Sequence, residues 1–307
     1  MILVTGATGF LGKRVCHKLD ERGLEYTKTS LSGGVDLRNG DETIAYFQKI
    51  KPSIVLNCAS FVGGIQFGMK YPADIFKNNM PMIANLFEAA HKAGVKRIVN
   101  PISNCVYPAE ATLFKESEFW DGPLHESVMV YGLVRKLSWA GSWAYARQHG
   151  LDTVNLVLSN MYGPEDHFEA ERSHALGALV KKFVDARETN ASEVIVWGSG
   201  KPVREWLYVD DGAEAMVRGM DCDPVTQPVN IGVATGISII EMAEQIKQAV
   251  GYKGKITLDT SKPDGAPFKT VDGSKGKALL NWSPQISFDN GVAKTVKWYE
   301  DNRQKFV

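Results

Sequence analysis

Tyr131 and Arg135 stand four residues apart in a stretch, 129–148, whose Val130, Leu133, Val134, Leu137 and Trp143 recur at helical spacing. Residues i and i+4 share a helix face, so the phenol and the guanidinium are expected side by side. A fixed cation next to a phenol favours its charged form, and such a phenol can exchange a proton with a substrate oxygen while a hydride moves. An ordinary surface Tyr–Arg pair has the same spacing, so the pair carries this reading only in company. Ser103 and Cys105 follow an expected strand at 96–100. A hydroxyl there can hold a carbonyl oxygen, and a thiol can take or return a carbon-bound proton. Free cysteine is also commonly a small buried hydrophobe. His174 precedes a helical pattern, and an isolated histidine is more often structural. Trp197 and Arg204 flank Gly198-Ser199-Gly200; a guanidinium clamps phosphate and an indole stacks on a base. Asp210-Asp211 has no further ligand at metal spacing and reads as a helix-start cap. No metal site is expected.

These groups need a frame, and residues 2–12, Ile-Leu-Val-Thr-Gly-Ala-Thr-Gly-Phe-Leu-Gly, supply its first corner. A β-branched run enters Gly6, Gly9 and Gly12, and a helical pattern follows. Strand, glycine turn and helix N-terminus together attract a pyrophosphate. A glycine triplet alone is a weak motif; its place in an alternating chain gives it weight. Strands are expected at 2–5, 24–29, 54–58, 96–100 and 151–158. Helices are expected at 11–23, 41–50, 79–93 and 129–148, with Pro81 in the first turn of its helix. Such β-α-β units imply an α/β, Rossmann-type doubly wound parallel sheet. Residues 1–160 then form the dinucleotide-binding domain, with later segments such as 190–212 returning to it. Residues 161–307 form a smaller, interleaved substrate-binding lobe. It has strands at 194–197, 228–230 and 255–258, and helices at 175–187, 210–220, 238–250 and 289–302. Ser261–Pro267 suits a flap.

Composition narrows the class. The 307 residues are 44% hydrophobic and 23% charged with zero net charge, as in a globular protein with a full core. Nothing favours nucleic acid or an anionic membrane as a partner. No apolar run approaches the ~20 residues of a membrane span. The four scattered cysteines have no paired spacing, which suits a reducing cytoplasm without structural disulfides.

Together these residues resemble the extended short-chain dehydrogenase/reductases of the NAD-dependent epimerase/dehydratase family, which act on nucleotide-activated sugars. The resemblance is greatest to the GDP-L-fucose synthase group, 3,5-epimerase/4-reductases of a GDP-4-keto-6-deoxyhexose, and covers nearly the whole chain. Its marks are Val62-Gly63-Gly64-Ile65, Tyr71-Pro72-Ala73-Asp74, Ser103-Asn104-Cys105-Val106-Tyr107-Pro108, Asn160-Met161-Tyr162-Gly163-Pro164, Ser173-His174, Val196 to Gly200, Arg204-Glu205, Val209-Asp210-Asp211 and Lys262 to Gly265. The resemblance implies that Cys105 and His174 are the acid/base pair that inverts C3 and C5. It implies that Ser103 and Tyr131 hold the C4 oxygen, with Arg135 beside them. Gly6, Thr8, Gly9, Phe10, Leu11, Gly12, Asp36, Leu37 and Ala59 would join Tyr131 and Arg135 in binding the dinucleotide. Asn160, Lys182, Val196, Trp197, Arg204 and Lys269 would bind a nucleotide-diphosphate sugar, GDP-linked by preference. A homodimer through the helices near 79–93 and 129–148 is also implied.

Three departures qualify the transfer. The family's Tyr-x-x-x-Lys is here Tyr131-x-x-x-Arg135, and Lys136 lies about 140° further round the helix. Arginine keeps the charge and changes its geometry. The family's arginine is Thr8 here, and Thr29, Ser30 and Ser32 replace the basic residues after the second strand. No acidic residue sits there to select NAD, and Lys13, Arg14 or Lys28 are the candidates for a 2′-phosphate, so NADP is favoured with NAD allowed. Phe268 replaces a basic residue before Lys269, and Ile102-Ser103-Asn104 departs from Gly-Ser-Ser, which leaves room for a related heptose. A dehydratase needs an acid pair that Asn104-Cys105 lacks. A 4-epimerase that recycles its NAD, or a non-catalytic dinucleotide-binding regulator, are the rival readings.

Overall fold

The computed structural model describes residues 1–169, 171–262 and 264–306. Strands β1 (Ile2–Thr5), β2 (Tyr26–Lys28), β3 (Ile54–Asn57), β4 (Arg97–Ser103) and β5 (Asp152–Leu158) alternate with helices α1 (Phe10–Glu21), α2 (Gly40–Ile50), α3 (Ile65–Lys70), α4 (Pro72–Ala93) and α5 (Met129–His149). Then come β6 (Asn160–Tyr162), α6 (Ala175–Glu188), β7 (Glu193–Trp197), β8 (Val203–Tyr208), α7 (Val209–Arg218) and β9 (Val229–Ile231). The chain continues through β10 (Gly236–Ser238), α8 (Ile239–Val250), β11 (Lys255–Asp259), β12 (Phe268–Lys269), α9 (Ser274–Leu280) and α10 (Phe288–Asn302). The main sheet is parallel in the order β2-β1-β3-β4-β5-β9. Its order reverses between β1 and β3, the place where doubly wound sheets bind ligands.

Alternation along the strands divides the core in two. Leu3, Val55 and Ile98 are register partners on one face, where they pack with Phe47, Leu86 and Phe87 of α2 and α4. Val4, Leu56 and Val99 point the other way, against Leu11, Val15 and Leu19 of α1 and Met216 of α7. Each such side chain taken fully out of water contributes about 1.5–3 kcal/mol.

A polar row crosses this apolar sheet. Thr5 is the register partner of Asn57 and Asn100 that of Asn155, with Asn57 and Asn100 each following the partners Leu56 and Val99; all four are at most 5% exposed. Thr5 Oγ1 donates to Asn57 Oδ1 at 2.7 Å, and Asn57 Nδ2 donates to Asn100 Oδ1 at 2.9 Å. Asn100 Nδ2 donates to Asn155 Oδ1 and to Ser138 Oγ of α5, both at 3.0 Å. Asn155 Nδ2 donates to Ser142 Oγ at 2.8 Å. Four strands and α5 are thus tied in one register, because any slip strands buried donors.

Outside this sheet, β8 pairs with β6, β10 and β12, and β7 pairs with β11. A second core of Tyr162, Phe183, Trp206, Met242, Ile246 and Tyr299 lies between these strands and α6, α8 and α10. Within 190–212, β7 and β8 join the smaller sheets rather than the main one, while Leu207 of β8 and Val209 of α7 pack into the main sheet's core. The returning piece is α7, whose Met216 packs in the core beside α1, followed by β9. Pro81 is also not in a first turn. The helix starts at Pro72, the favoured N1 place for proline, with Asp74 in its first turn, and Pro81 lies inside it. Asp210 and Asp211 do not cap α7 either, because Tyr208 is its N-cap. Asp211 accepts from the backbone of Gln285 and Ile286 at 2.9 and 3.1 Å, and Asp210 pairs with Arg14. Leu133, Leu137 and Trp143 remain 45–50% exposed on α5, and Phe76 of α4 is 55% exposed. No helix among the described residues is long and apolar enough to cross a membrane.

Asn100→Ala removes the middle of the polar row and strands Asn57 Nδ2, Asn155 Oδ1 and Ser138 Oγ. At about 1–3 kcal/mol for each buried group left unpaired, urea unfolding should show a loss of roughly 3 kcal/mol or more. A loss well below about 1 kcal/mol would show that the row does not hold the register.

Candidate active site

The chain leaves β1 through Gly6, whose φ of +61° few other residues adopt. A Cβ there would come within 2.5 Å of the Cys58 carbonyl carbon, so the turn runs against the end of β3. Ala7 N–H donates to Thr29 O at 3.0 Å, which joins the same turn to the end of β2. Gly9 is the N-cap of α1, with no side-chain cap and no acidic residue in the first turn. A Cβ on Gly12 would overlap the Gly6 carbonyl. The first N–H groups of a helix lack intrahelical partners, and at Phe10 and Leu11 no carboxylate competes for an anion.

Leu37, Ala59, Asn79 and Arg135 line a small cavity of about 10 Å³ at this end of the sheet. Arg135 Nε and Thr29 Oγ1 are buried, and neither has a partner among the described residues. A dinucleotide, with an anionic bridge and ribose hydroxyls, fits that donor set. Thr8 Oγ1 lies 3.0 Å from Ser32 Oγ. Asp36 accepts from Arg38 Nε at 2.8 Å and Nη2 at 2.7 Å, and this hydrogen bonding lowers its pKa. Lys13 and Arg14, the candidates for a 2′-phosphate, both pair with Glu165, at 3.1 and 3.3 Å.

At the other end of the cleft, β4 stops at Ser103, whose Oγ accepts from Cys105 N–H at 3.2 Å. The first turn of α5 presses on this segment so closely that a Cβ on Gly132 would lie 2.5 Å from Cys105 O. Tyr131 is thereby set next to Cys105 in the fold. The Arg135 guanidinium lies 5.0 Å from the Tyr131 ring centre, donates to Ser60 Oγ, and is 3% exposed. The two residues are therefore not an ordinary surface pair. Lys136 turns away, with Nζ 4.9 Å from the Trp120 ring and 5.3 Å from Phe119, and burial depresses its pKa.

Lys269 and Arg204, register partners on β12 and β8, are both buried. Lys269 Nζ is 3.5 Å from Cys105 Sγ. Burial lowers the Arg204 pKa to about 10, which leaves it a cation at neutral pH. His174 is the N-cap residue of α6, and its buried Nδ1 has no partner among the described residues. Burial, with the charges of His167 and Lys269, lowers its pKa to about 4. The imidazole is neutral at pH 7, and the ammonium that contacts Cys105 Sγ adds its charge to that lowering. The Val62 to Ile65 loop is tied to this corner by Gly64 N–H, which donates to Arg172 O at 2.9 Å.

Asn160 Nδ2 donates to Glu205 O at 3.0 Å. Trp197 is 48% exposed on a separate groove of about 380 Å³, with Lys182 Nζ 5.0 Å and Lys262 Nζ 5.5 Å from its ring. Val196 is 2% exposed and packs into the second core, because alternation on β7 turns it away from Trp197; its side chain cannot touch a ligand. Within 261–267, Asp264 accepts from Ser199 N–H and Oγ–H at 2.9 and 2.7 Å, while Pro263 lies outside the described residues. Sequence reasoning missed Ser60, Asn79 and Glu205. Asn79 binds the Phe61 backbone through both ends of its amide. Glu205 is fully buried and accepts from Ser159 Oγ and from the Val271, Val233 and Ala234 backbone. Burial still raises its pKa. A glutamate directly before the apolar run Trp206-Leu207-Tyr208 is its one visible signal.

The sequence profile of the NAD dependent epimerase/dehydratase family matches residues 2–232. A putative GDP-L-fucose synthase 2 of Arabidopsis thaliana is 38% identical over 98% of this chain and 92% of its own. The GDP-L-fucose synthase of Escherichia coli K12 is 32% identical over 99% and 98%. Among solved structures, a GDP-L-fucose synthetase from Naegleria fowleri bound to NADP superposes with a TM-score of 0.90 at 30% identity, covering 99% and 94% of the two chains. A GDP-6-OMe-4-keto-L-xylo-heptose reductase from C. jejuni gives 0.91 at 25%, covering 98% and 97%. A glycine turn at the sheet's switch point, a tyrosine-bearing α5 against it, and likeness along the whole chain have one conclusion: the chain belongs to the NAD-dependent epimerase/dehydratase family.

Proposed function

We propose that this enzyme is a 3,5-epimerase and 4-reductase of a GDP-linked 4-keto-deoxyhexose or a related heptose, using a reduced nicotinamide dinucleotide. The observation that carries the reading is the corner where the Lys269 ammonium lies 3.5 Å from Cys105 Sγ, together with a neutral His174 whose buried Nδ1 has no partner among the described residues. The names of the relatives support the substrate class.

A ketone at C4 acidifies the hydrogens on C3 and C5. Cys105 and His174 can then work as a pair, one taking a proton from carbon and the other delivering one to the opposite face. Lys269 offers a counter-charge to the sulfur once its proton has left. His174, neutral at pH 7, is free to accept a proton at a ring nitrogen. Ser103 and Tyr131 would hold the C4 oxygen, and Tyr131 would protonate it. The bound dinucleotide supplies the hydride that reduces C4. Arg135 keeps a cation against the phenol in place of the family's lysine. Arg204 would meet the diphosphate, and Trp197 with Lys182 would cover the base. A 4-epimerase remains the alternative because Tyr131 and the dinucleotide serve that chemistry equally.

A panel of GDP-, UDP- and dTDP-linked 4-keto sugars with NADPH or NADH, with products identified by NMR, tests the proposal. Net cofactor oxidation with a GDP-4-keto sugar is expected, together with a 4-hydroxy product inverted at C3, C5 or both. Tyr131→Phe should slow the reduction by about 10²-fold or more. Turnover without net cofactor change would favour the 4-epimerase instead.

The His174 environment also sets a pH dependence. Unfolded, the imidazole titrates near pH 6.5; folded, it titrates near 4. Between these values the unfolded chain binds more protons, so this contribution is full above pH 6.5 and is lost as pH falls towards 4. Buried Asp166, pushed up to about 7 by desolvation, acts with the opposite sign, so the comparison must be with a variant. From pH 7 to 4, wild type should lose roughly 3 kcal/mol more unfolding free energy than His174→Gln. Equal losses in the two proteins would place His174 in an ordinary solvated setting.

A further inference from the structure

His174 ends the connection between β6 and α6, so no sheet pairing fixes it. A reacting group on a loop keeps one place only where side chains outside the loop hold it. Within the connection, Glu169 O accepts from Arg172 N–H at 3.1 Å and from Ser173 N–H at 2.9 Å. Glu171 and Arg172 then reach across to the segment 61–71. Glu171 Oε1 accepts from Lys70 Nζ at 2.9 Å and from Tyr71 O–H at 2.5 Å. Lys70 and Glu171 are both more than half exposed, and exposed pairs of this kind contribute little.

Arg172 makes the stronger contact. Its guanidinium lies 5.3 Å from the Phe67 ring centre and 5.7 Å from that of Phe61, rings that are themselves 5.5 Å apart. Its Nε is buried, and no carboxylate pairs with it among the described residues. A desolvated cation on aromatic faces gains more than an exposed one. Nη2 also reaches Val62 O at 3.5 Å, and the Arg172 carbonyl accepts from Gly64 N–H at 2.9 Å. A Cβ on Gly64 would overlap the Ser173 carbonyl oxygen, so the two segments meet backbone to backbone. The far side of the contact is firm, because Asn79 of α4 accepts from Phe61 N–H at 3.1 Å and donates to Phe61 O at 2.8 Å. The glycine turn and Arg135 are held by other groups.

Resting on the epimerase reading above, we infer that Arg172 is a positioning residue for proton transfer: its guanidinium on Phe61 and Phe67 holds His174 at the sugar site, and it serves inversion without serving dinucleotide binding. A proton-transfer group misplaced by about 1 Å can lose about 10²-fold in rate.

The test compares wild type with Arg172→Ala, Arg172→Lys and Phe67→Leu, with circular dichroism to confirm folding. Two quantities are measured: deuterium uptake at C3 and C5 of a GDP-4-keto-6-deoxy sugar in heavy water with oxidised dinucleotide bound, and the dissociation constant of that dinucleotide by calorimetry. Arg172→Ala should slow uptake by about tenfold or more, with the dissociation constant within about threefold of wild type. Phe67→Leu, which removes a ring and leaves the guanidinium, should show the same split. Arg172→Lys keeps a cation against the rings and should return uptake to within about threefold of wild type. Wild-type uptake in folded Arg172→Ala or Phe67→Leu would overturn the inference and leave the epimerase reading intact. A loss of dinucleotide affinity that matches the loss of uptake would overturn it too, because Arg172 would then serve the fold at large. So would a lysine variant as slow as the alanine one. No uptake in wild type would remove the epimerase reading itself, and this inference with it.

Discussion

The row Thr5–Asn57–Asn100–Asn155 is the constraint on which the rest of the site depends. Buried amides in an apolar sheet are tolerable only when each donor finds its acceptor. Here that condition is met in one register of four strands and one placement of α5. Asn57 is also the residue that holds Ala59 N–H at 3.3 Å, so the row reaches the edge of the dinucleotide cleft. Through Ser138 and Ser142 it fixes the helix that carries Tyr131 and Arg135. Positional accuracy in the reacting groups thus begins with polar groups far below them.

A second polar anchor does similar work for the other lobe. The Glu205 carboxylate gathers the backbone of Val233, Ala234 and Val271 with the Ser159 hydroxyl. It thereby joins β8 to the segments after β5, β9 and β12. Its neighbour in sequence is Arg204, whose register partner is Lys269, and these are the cations assigned to the proposed sugar site. Lys269 then acts on two groups at once. It sits on the sulfur of Cys105 and contributes to keeping His174 unprotonated, which is a state suited to accepting a proton.

Much of this frame could be read in the sequence. Local signals sufficed for the glycine turn, for the strand–helix alternation and for the shared face of Tyr131 and Arg135, because each depends on residues within a turn or two. Relations that depend on register could not be read. Asn100 looks like an irregularity in a strand until Asn57 and Asn155 are set on either side of it. The start of α4 at Pro72 was hidden by a polar stretch, and Pro81 was read as the mark of a beginning when it lies inside a longer helix. The resemblance sets Val196 with the ligand, although alternation sends its side chain inward. Lys13 and Arg14 were candidates for a phosphate on charge alone, before Glu165, 152 and 151 positions away, was known to hold them.

The central claim is that Cys105 and His174 move protons on carbons next to a ketone. Its most direct measurement is deuterium uptake at C3 and C5 of a GDP-4-keto-6-deoxy sugar in heavy water, followed by NMR with oxidised dinucleotide bound so that no reduction occurs. Uptake at one or both carbons is predicted for wild type, with severe loss in Cys105→Ser and in His174→Gln. Uptake that proceeds undiminished in both variants would contradict the account.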